Sequence, residues 1–261
     1  MSIFEHRSID LPDCKFLISP SQLAKFYENP ALWYKEEIEH DRQFKGNTST
    51  VLGTICHYIY ECVTEGKEVT RDIINKELFQ FLADNPELAD EVDVDAVKVD
   101  YPLVSAEVVN SYILPMKELG TKSHSETSLA YKLRNGIYAA GTCDRIEEDD
   151  DSLTIVDFKT VAKKPSELVI PDHYKRQLMC YAYMARETFK KPIDKIRIVY
   201  GVRPQKTIGA RCIEVSEQVT DELWEMIDHD FKLISDTFEA CERDPNLIYL
   251  IFKDYGLKRA A

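Results

Sequence analysis

One acidic turn constrains this chain more than any other stretch. "EEDDDS" separates two strand-like runs, "GIYAAGTCDRIE" and "SLTIVDFKT". Strand side chains alternate, so Asp157 and Lys159 share a face with Ile155, while Val156 and Phe158 take the other. A turn over Asp149–Ser152 sets Asp144 directly opposite Asp157, with Cβ atoms about 4.5–5.5 Å apart. Other even-length turns keep the two acids on one face, and an odd one separates them unless a bulge intervenes. Two carboxylates at that distance repel each other unless they share a proton or a cation. A hard divalent ion such as Mg²⁺ suits the place, because it takes oxygen ligands and keeps several waters. Lys159 beside the ion would steady charge developing on a phosphate, help often worth about 100-fold in rate, and the ion would acidify a bound water. The plainer reading of the same residues is a surface hairpin with an Asp–Lys pair.

The rest of the chain supplies a frame for that hairpin. "SPSQLAKFYENPALWYKEEI" opens a helix, with Ser19 as cap, Pro20 at the first helical position and Gln22 completing a capping box. "TSTVLGTICHYIYECVTEG" reads as a second helix, apolar along Leu52, Cys56, Ile59 and Val63 and stopped by Gly66. Residues 71–119 read as further helix and loop, interrupted by the acidic "ELADEVDVDAVKVD", to which no function attaches. Strands begin near Ser125 with "SETSLAYKL" and include "KIRIVYGVR" and "GARCIEVS" later on. Between them Pro171 and Asp172 open the amphipathic helix "DHYKRQLMCYAYMARETFK". A last helix runs from Thr220 to Glu242. Residues 1–261 are expected to be one elaborated domain: a mostly helical annex over 19–120, a sheet core with a crossover helix over 125–216, and a C-terminal helix over 218–243. The class is α/β.

The formal net charge of −13 argues at first sight against a polyanionic partner. Its distribution does not. From Asp157 to Arg211 there are 13 Lys and Arg against 5 Asp and Glu, a basic block that includes Lys163 and Lys164. Such a block fits either a DNA-facing surface or one or two solvated helix faces. The 7 cysteines are scattered, with no C-x-x-C pair, which fits reduced thiols in a cytoplasm and argues against a zinc or iron–sulfur module. No apolar run reaches 18 residues, so no membrane span is expected. "MSIFEHRSIDLPDCKF" lacks a basic segment followed by an apolar one, so secretion is not expected either.

Four segments together resemble the PD-(D/E)XK nuclease superfamily. "GTCDRI", followed 13 residues later by "DFK", resembles its core. "LGTICHYIYE" resembles the Gly-x-x-x-His helix of the RecB-like branch at Gly53 and His57. "YKRQLMCYAYMA" resembles that branch's Gln-x-x-x-Tyr helix at Gln177 and Tyr181. "SPSQLAKFYENPALWYKE" is similar to the opening helix of the RecE-type recombination exonucleases. The resemblance spans about Ser19 to Arg203, in the family's order.

That resemblance implies a restriction-endonuclease-like mixed sheet flanked by helices. It implies Mg²⁺ or Mn²⁺ held by His57, Asp144, Asp157 and the Phe158 carbonyl, with Lys159 as catalytic lysine. Glu126 matches an acidic position that would orient Lys159 or a second ion; the alternative is a solvated strand-end acid. Gln177 and Tyr181 would border DNA together with Lys163 and Lys164, although Tyr181 equally fits a packing role. His57 alone would read as a core histidine, and Gly53 as a residue permitting close helix–sheet packing. Relatives that carry an iron–sulfur cluster use one early and three late cysteines; here the early position is Asn29, and no cysteine follows Cys241. No cluster is expected.

The implied function is a DNA exonuclease acting on linear duplex, in recombination, repair or phage DNA metabolism, in a bacterial cytoplasm or phage-infected host. Its implied partners are DNA, a single-strand annealing protein and further copies of the chain in a ring. A structure-selective endonuclease or a cluster-free nuclease of CRISPR adaptation is the second enzymatic expectation. A non-catalytic DNA-binding or assembly subunit is the third.

Overall fold

The computed structural model describes residues 9–41, 46–244 and 246–247. The opening residues 1–8 and the cysteine-free tail from 248 onward, both used above, lie outside the described residues.

Six strands form one mixed sheet around a long central strand, β3 (Ile137–Glu148). β2 (Lys122–Arg134) runs antiparallel along one edge of β3, from Lys122↔Glu148 to Arg134↔Ile137. Two strands divide the other edge. β1 (Phe16–Ile18) pairs in parallel with Ile137–Ala139, and β4 (Leu153–Val161) pairs antiparallel from Arg145↔Val156 to Glu148↔Leu153. Residues 140–144 of β3 therefore have no strand beside them on that edge. β5 (Ile193–Val202) lies parallel to β4, and β6 (Arg211–Gln218) lies antiparallel to β5.

The acidic turn closes as expected, with Asp149 N–H donating to the Ser152 carbonyl at 3.0 Å. β1 is a correction: the sheet recruits a strand more than 100 residues before Ser125. Three residues are too few to show a strand period, and the pairing that makes them a strand is wholly non-local.

Helices cover both faces. On one side α1 (Pro20–Glu28), α8 (Asp172–Phe189) and α9 (Asp221–Arg243) pack Leu23, Phe26, Met179, Ile227 and Phe231 against Ile155, Ile198 and Tyr200. α8 is the crossover that the parallel β4–β5 pair requires. On the other side α3 (Thr48–Glu65), α4 (Arg71–Asp84), α5 (Pro86–Ala89) and α6 (Val94–Val108) bury Leu52, Ile59, Leu78 and Val104 against Val156, Phe158 and Val199. The helices before the sheet thus divide between its two faces. Five of the seven cysteines are buried among these side chains, and all seven are free thiols.

Local chemistry sets the helix ends. Ser19 and Gln22 form the reciprocal capping box at the start of α1. The opening helix stops at Glu28, where the Asn29 side chain caps a new short helix, α2 (Pro30–Trp33), that continues as a π turn over Tyr34–Ile38. Asn47 caps α3 through the N–H groups of Ser49 and Thr50, and Gly66 ends it at φ 72°. The acidic stretch 87–100 interrupts the helices as expected, at residues 90–93, and on either side of that break it builds the body of α5 and the start of α6. Asp93 caps α6 through Ala96 N–H at 2.9 Å, and Asp100 grips Arg203 at 2.6 and 2.7 Å. A second π turn (Val109–Ile113) leads into α7 (Leu114–Glu118). No helix among the described residues is long and apolar enough to cross a membrane.

Candidate active site

β3 and β4 separate beyond the Arg145↔Val156 pair, and the candidate site occupies the notch between them. The residue pair beyond, Asp144 and Asp157, stands where the next rung would fall. Asp144 does not continue the ladder: its carboxylate Oδ2 accepts the Phe158 N–H at 2.7 Å. A strand residue's N–H and C=O point the same way, so the Phe158 carbonyl also faces the notch. There it lies 2.9 Å from His57 Nε2. The other ring nitrogen of His57 is 3.4 Å from Asp144 Oδ1. α3 therefore delivers His57 to the notch from the Phe158 side of the sheet.

Glu126 arrives from β2. The ladder pairs Ser125 with Arg145 and Thr127 with Cys143 but skips Glu126 and Asp144 between them, and Glu126 has φ +44°. A non-glycine residue in that region is strained, and such strain collects at functional sites. Ligand atoms of His57, Glu126 and Asp144 all lie within 4.8 Å of one another. One imidazole, clustered carboxylate oxygens and an inward main-chain carbonyl form a donor set suited to a hard divalent cation. The residues fit the group.

Asp157 faces the α8 side, as strand alternation predicts. It is 3% exposed and is paired with Lys159 Nζ at 2.7 Å. From α8, Gln177 spans the pair, donating through Nε2 to Asp157 Oδ1 and accepting from Lys159 Nζ, both at 3.3 Å. The Tyr174 ring lies 5.0 Å from the Lys159 ammonium, within cation–π range.

Electrostatics separate the two acids. Burial pushes the Asp157 carboxyl up, and the neighbouring Asp144 charge adds to it; Lys159 opposes both, and the balance is about 6. Burial also works against an ionised Asp144, but His57 outweighs it and holds Asp144 below the usual carboxylate range. For His57 burial favours the neutral ring, yet Asp144, with help from Glu126 and Asp157, raises it to about 9. Burial likewise opposes the Lys159 charge, and Asp157 and Asp144 together raise its pKa above the ordinary value.

A model of the PD-(D/E)XK nuclease superfamily matches residues 17–245. The chain belongs to this superfamily. No curated protein matches it in sequence. Among solved structures, an alkaline exonuclease from Laribacter hongkongensis (LHK-Exo) is similar at 12% identity and a TM-score of 0.38, over 93% of this chain and 95% of that one. The same exonuclease in complex with dAMP gives 12% and 0.38 over 92% and 93%. SSO0001 gives the same identity and TM-score over 87% and 79%.

Of the expected site residues, His57, Glu126 and Asp144 cluster at the notch with the Phe158 carbonyl, while Asp157 stands outside that cluster of ligand atoms, paired with Lys159 and Gln177 on the α8 side. Lys163 and Lys164 are exposed on the loop after β4. Tyr181 is different. It is 8% exposed, with its ring against Gly141, where an added Cβ would come within 3.4 Å of the ring and 2.8 Å of Pro20 Cδ. Of the α8 pair, Gln177 meets the site and Tyr181 packs beneath it. Gly53 also departs from expectation: a Cβ there would meet nothing within 4 Å, so close packing does not account for it. Sequence reading missed Tyr174, although its position one helical turn before Gln177 on the same face could have revealed it.

Proposed function

We propose that this chain is a Mg²⁺- or Mn²⁺-dependent deoxyribonuclease that degrades linear duplex DNA from its ends. One observation supports the chemistry above all: the sheet separates at Asp144 and Asp157, and an imidazole, several carboxylates, a main-chain carbonyl and a lysine converge in the gap. His57, Glu126, Asp144, Asp157 and the Phe158 carbonyl would hold the metal. When bound, the ion supplies positive charge to the phosphodiester and acidifies a nucleophilic water. Hydrolysis forms a new bond from the water oxygen to phosphorus, breaks a phosphorus–ester oxygen bond, and returns a proton to the departing oxygen.

Lys159, with its raised pKa, stays an ammonium and so acts as a donor to the charged phosphoryl oxygens rather than as a base. Gln177 holds the ammonium and the Asp157 carboxylate in register, and Tyr174 covers the ammonium. The end-dependent mode rests on the resemblance of the opening helix to RecE-type exonucleases. A cytoplasmic setting, a ring of copies and an annealing-protein partner belong to the same resemblance.

The test is digestion of end-labelled linear duplex beside closed circular and single-stranded DNA, with Mg²⁺, Mn²⁺ or EDTA. Metal-dependent loss of linear duplex alone is expected. Asp157→Ala should abolish it, and Lys159→Ala should slow it about 100-fold or more. Cutting of closed circles would instead make it an endonuclease, and DNA binding without cleavage under either metal would make it a non-catalytic subunit.

A further inference from the structure

The basic block from Asp157 to Arg211 sorts into two groups once ion pairs are traced. Lys159, Lys175, Arg176, Arg186, Lys190, Lys191, Lys195, Arg197 and Arg203 each have a carboxylate partner. The other four, Lys163, Lys164, Lys206 and Arg211, have none among the described residues. All four lie at one end of the sheet, on the loop after β4, on the β5–β6 turn and at the start of β6. The two loops are joined: Arg203 N–H donates to the Val161 carbonyl at 2.9 Å, and the Gln205 side chain reaches the Ala162 carbonyl at 3.5 Å.

Register places Arg211 relative to the site. Val161 pairs with Val202, and Val202 with Arg211. Laterally paired residues share a face, and Val202 belongs to the core on the α8 side, as does Tyr200, the partner of Lys159. Arg211 is therefore on the face that carries Asp157 and Lys159, two strands across and beyond the row Lys159–Tyr200–Ile213, about 12 Å from Lys159. Its Nε is screened from solvent and has no acceptor. A sheltered, unpaired guanidinium nitrogen is costly unless a ligand completes it, and a phosphate does so in two-pronged fashion.

We propose that Arg211 anchors a backbone phosphate of the DNA substrate a few nucleotides from the scissile bond. Lys206, Lys163 and Lys164 continue the track along the same end of the sheet. The proposal rests on the nuclease reading above and adds the path of the strand: from the notch across the ends of β4 and β5 to β6, on the face opposite the acidic start of α6. A separation of about 12 Å corresponds to roughly three or four steps along one strand of duplex.

The test measures binding of a fluorescein-labelled linear duplex by anisotropy, in Ca²⁺ to withhold cleavage, over a series of salt concentrations. Wild type, Arg211→Gln, Lys206→Gln and the control Lys190→Gln are compared, with thermal melting to establish that each is folded. Arg211→Gln and Lys206→Gln should each lower the slope of log Kd against log salt by about one, and Lys190→Gln should leave it unchanged. Wild type that binds and cleaves, with an unaltered slope in a folded Arg211→Gln protein, overturns the anchor and leaves the nuclease reading standing. Wild type that neither binds nor cleaves DNA overturns both.

Discussion

The Asp144 carboxylate accepts the main-chain N–H of Phe158 at 2.7 Å, across the line where β3 and β4 part. One side chain thus both fastens the notch and belongs to the candidate metal set. The two roles separate by substitution. Asp144→Asn keeps an oxygen for the Phe158 N–H and should retain most of the stability, whereas Asp144→Ala leaves that donor unsatisfied, at a cost of about 1–3 kcal/mol. Both should be inactive. Urea unfolding in EDTA, beside a cleavage assay, checks the pair; equal stability of the two variants would contradict the fastening role.

Asp157 carries the opposite kind of charge problem. Its folded pKa is raised from 3.8 to about 6, so its contribution to stability is fully present below pH 3.8 and is lost as pH rises through about 6. At pH 7.5 without metal, Asp157→Asn should therefore melt at a higher temperature than wild type. Adding Mg²⁺ should raise the wild-type melting temperature and move the variant much less. A metal-free variant less stable than wild type would show that the ionised carboxylate is not a burden.

For His57 the folded pKa is raised from 6.5 to about 9. Its charge stabilises the metal-free fold below pH 6.5, and that stability is lost as pH rises through about 9. In EDTA, the denaturation midpoint of wild type should fall between pH 6.5 and 9. His57→Gln should fall less over the same interval, and parallel curves would refute the assignment.

Two glycines should respond oppositely to a methyl group. At Gly53 nothing lies within 4 Å of an added Cβ, so Gly53→Ala should stabilise α3 by about 0.5–1 kcal/mol. At Gly141 the same methyl group would sit 2.8 Å from Pro20 Cδ, and Gly141→Ala should cost about 1–3 kcal/mol. Chemical denaturation of both variants measures this directly. Lost activity in a stabilised Gly53→Ala protein would mean that substrate uses the open space.

What could be read from the sequence was local. Ser19 with Gln22, Asn47 before α3, the turn at Asp149 and the alternation of Ile155, Asp157 and Lys159 are decided within a few residues, so their patterns are explicit. The register of the β3–β4 hairpin followed from that turn. The separation of the strands one residue later did not, because it depends on β1 and β4 sharing an edge of β3 although more than 100 residues separate them in sequence. The backbone of Glu126, the seat of Tyr181 on Gly141 and the solitary state of Arg211 depend likewise on neighbours distant in the chain. The basic block was visible as composition, but only traced ion pairs divide it.

The interval 140–144 of β3 has a consequence for the behaviour of the protein in bulk. An unpaired stretch of strand is a template on which a foreign chain can add. Here Pro20 and Tyr181 pack on the face of Gly141, in the direction of its missing Cβ, so the first residue of α1 and the middle of α8 hold this stretch of strand from one side. Loosening α1 would free the strand there. The same opening that admits a phosphodiester would then admit another polypeptide, and self-association would be the penalty for building a reaction centre where a sheet leaves off.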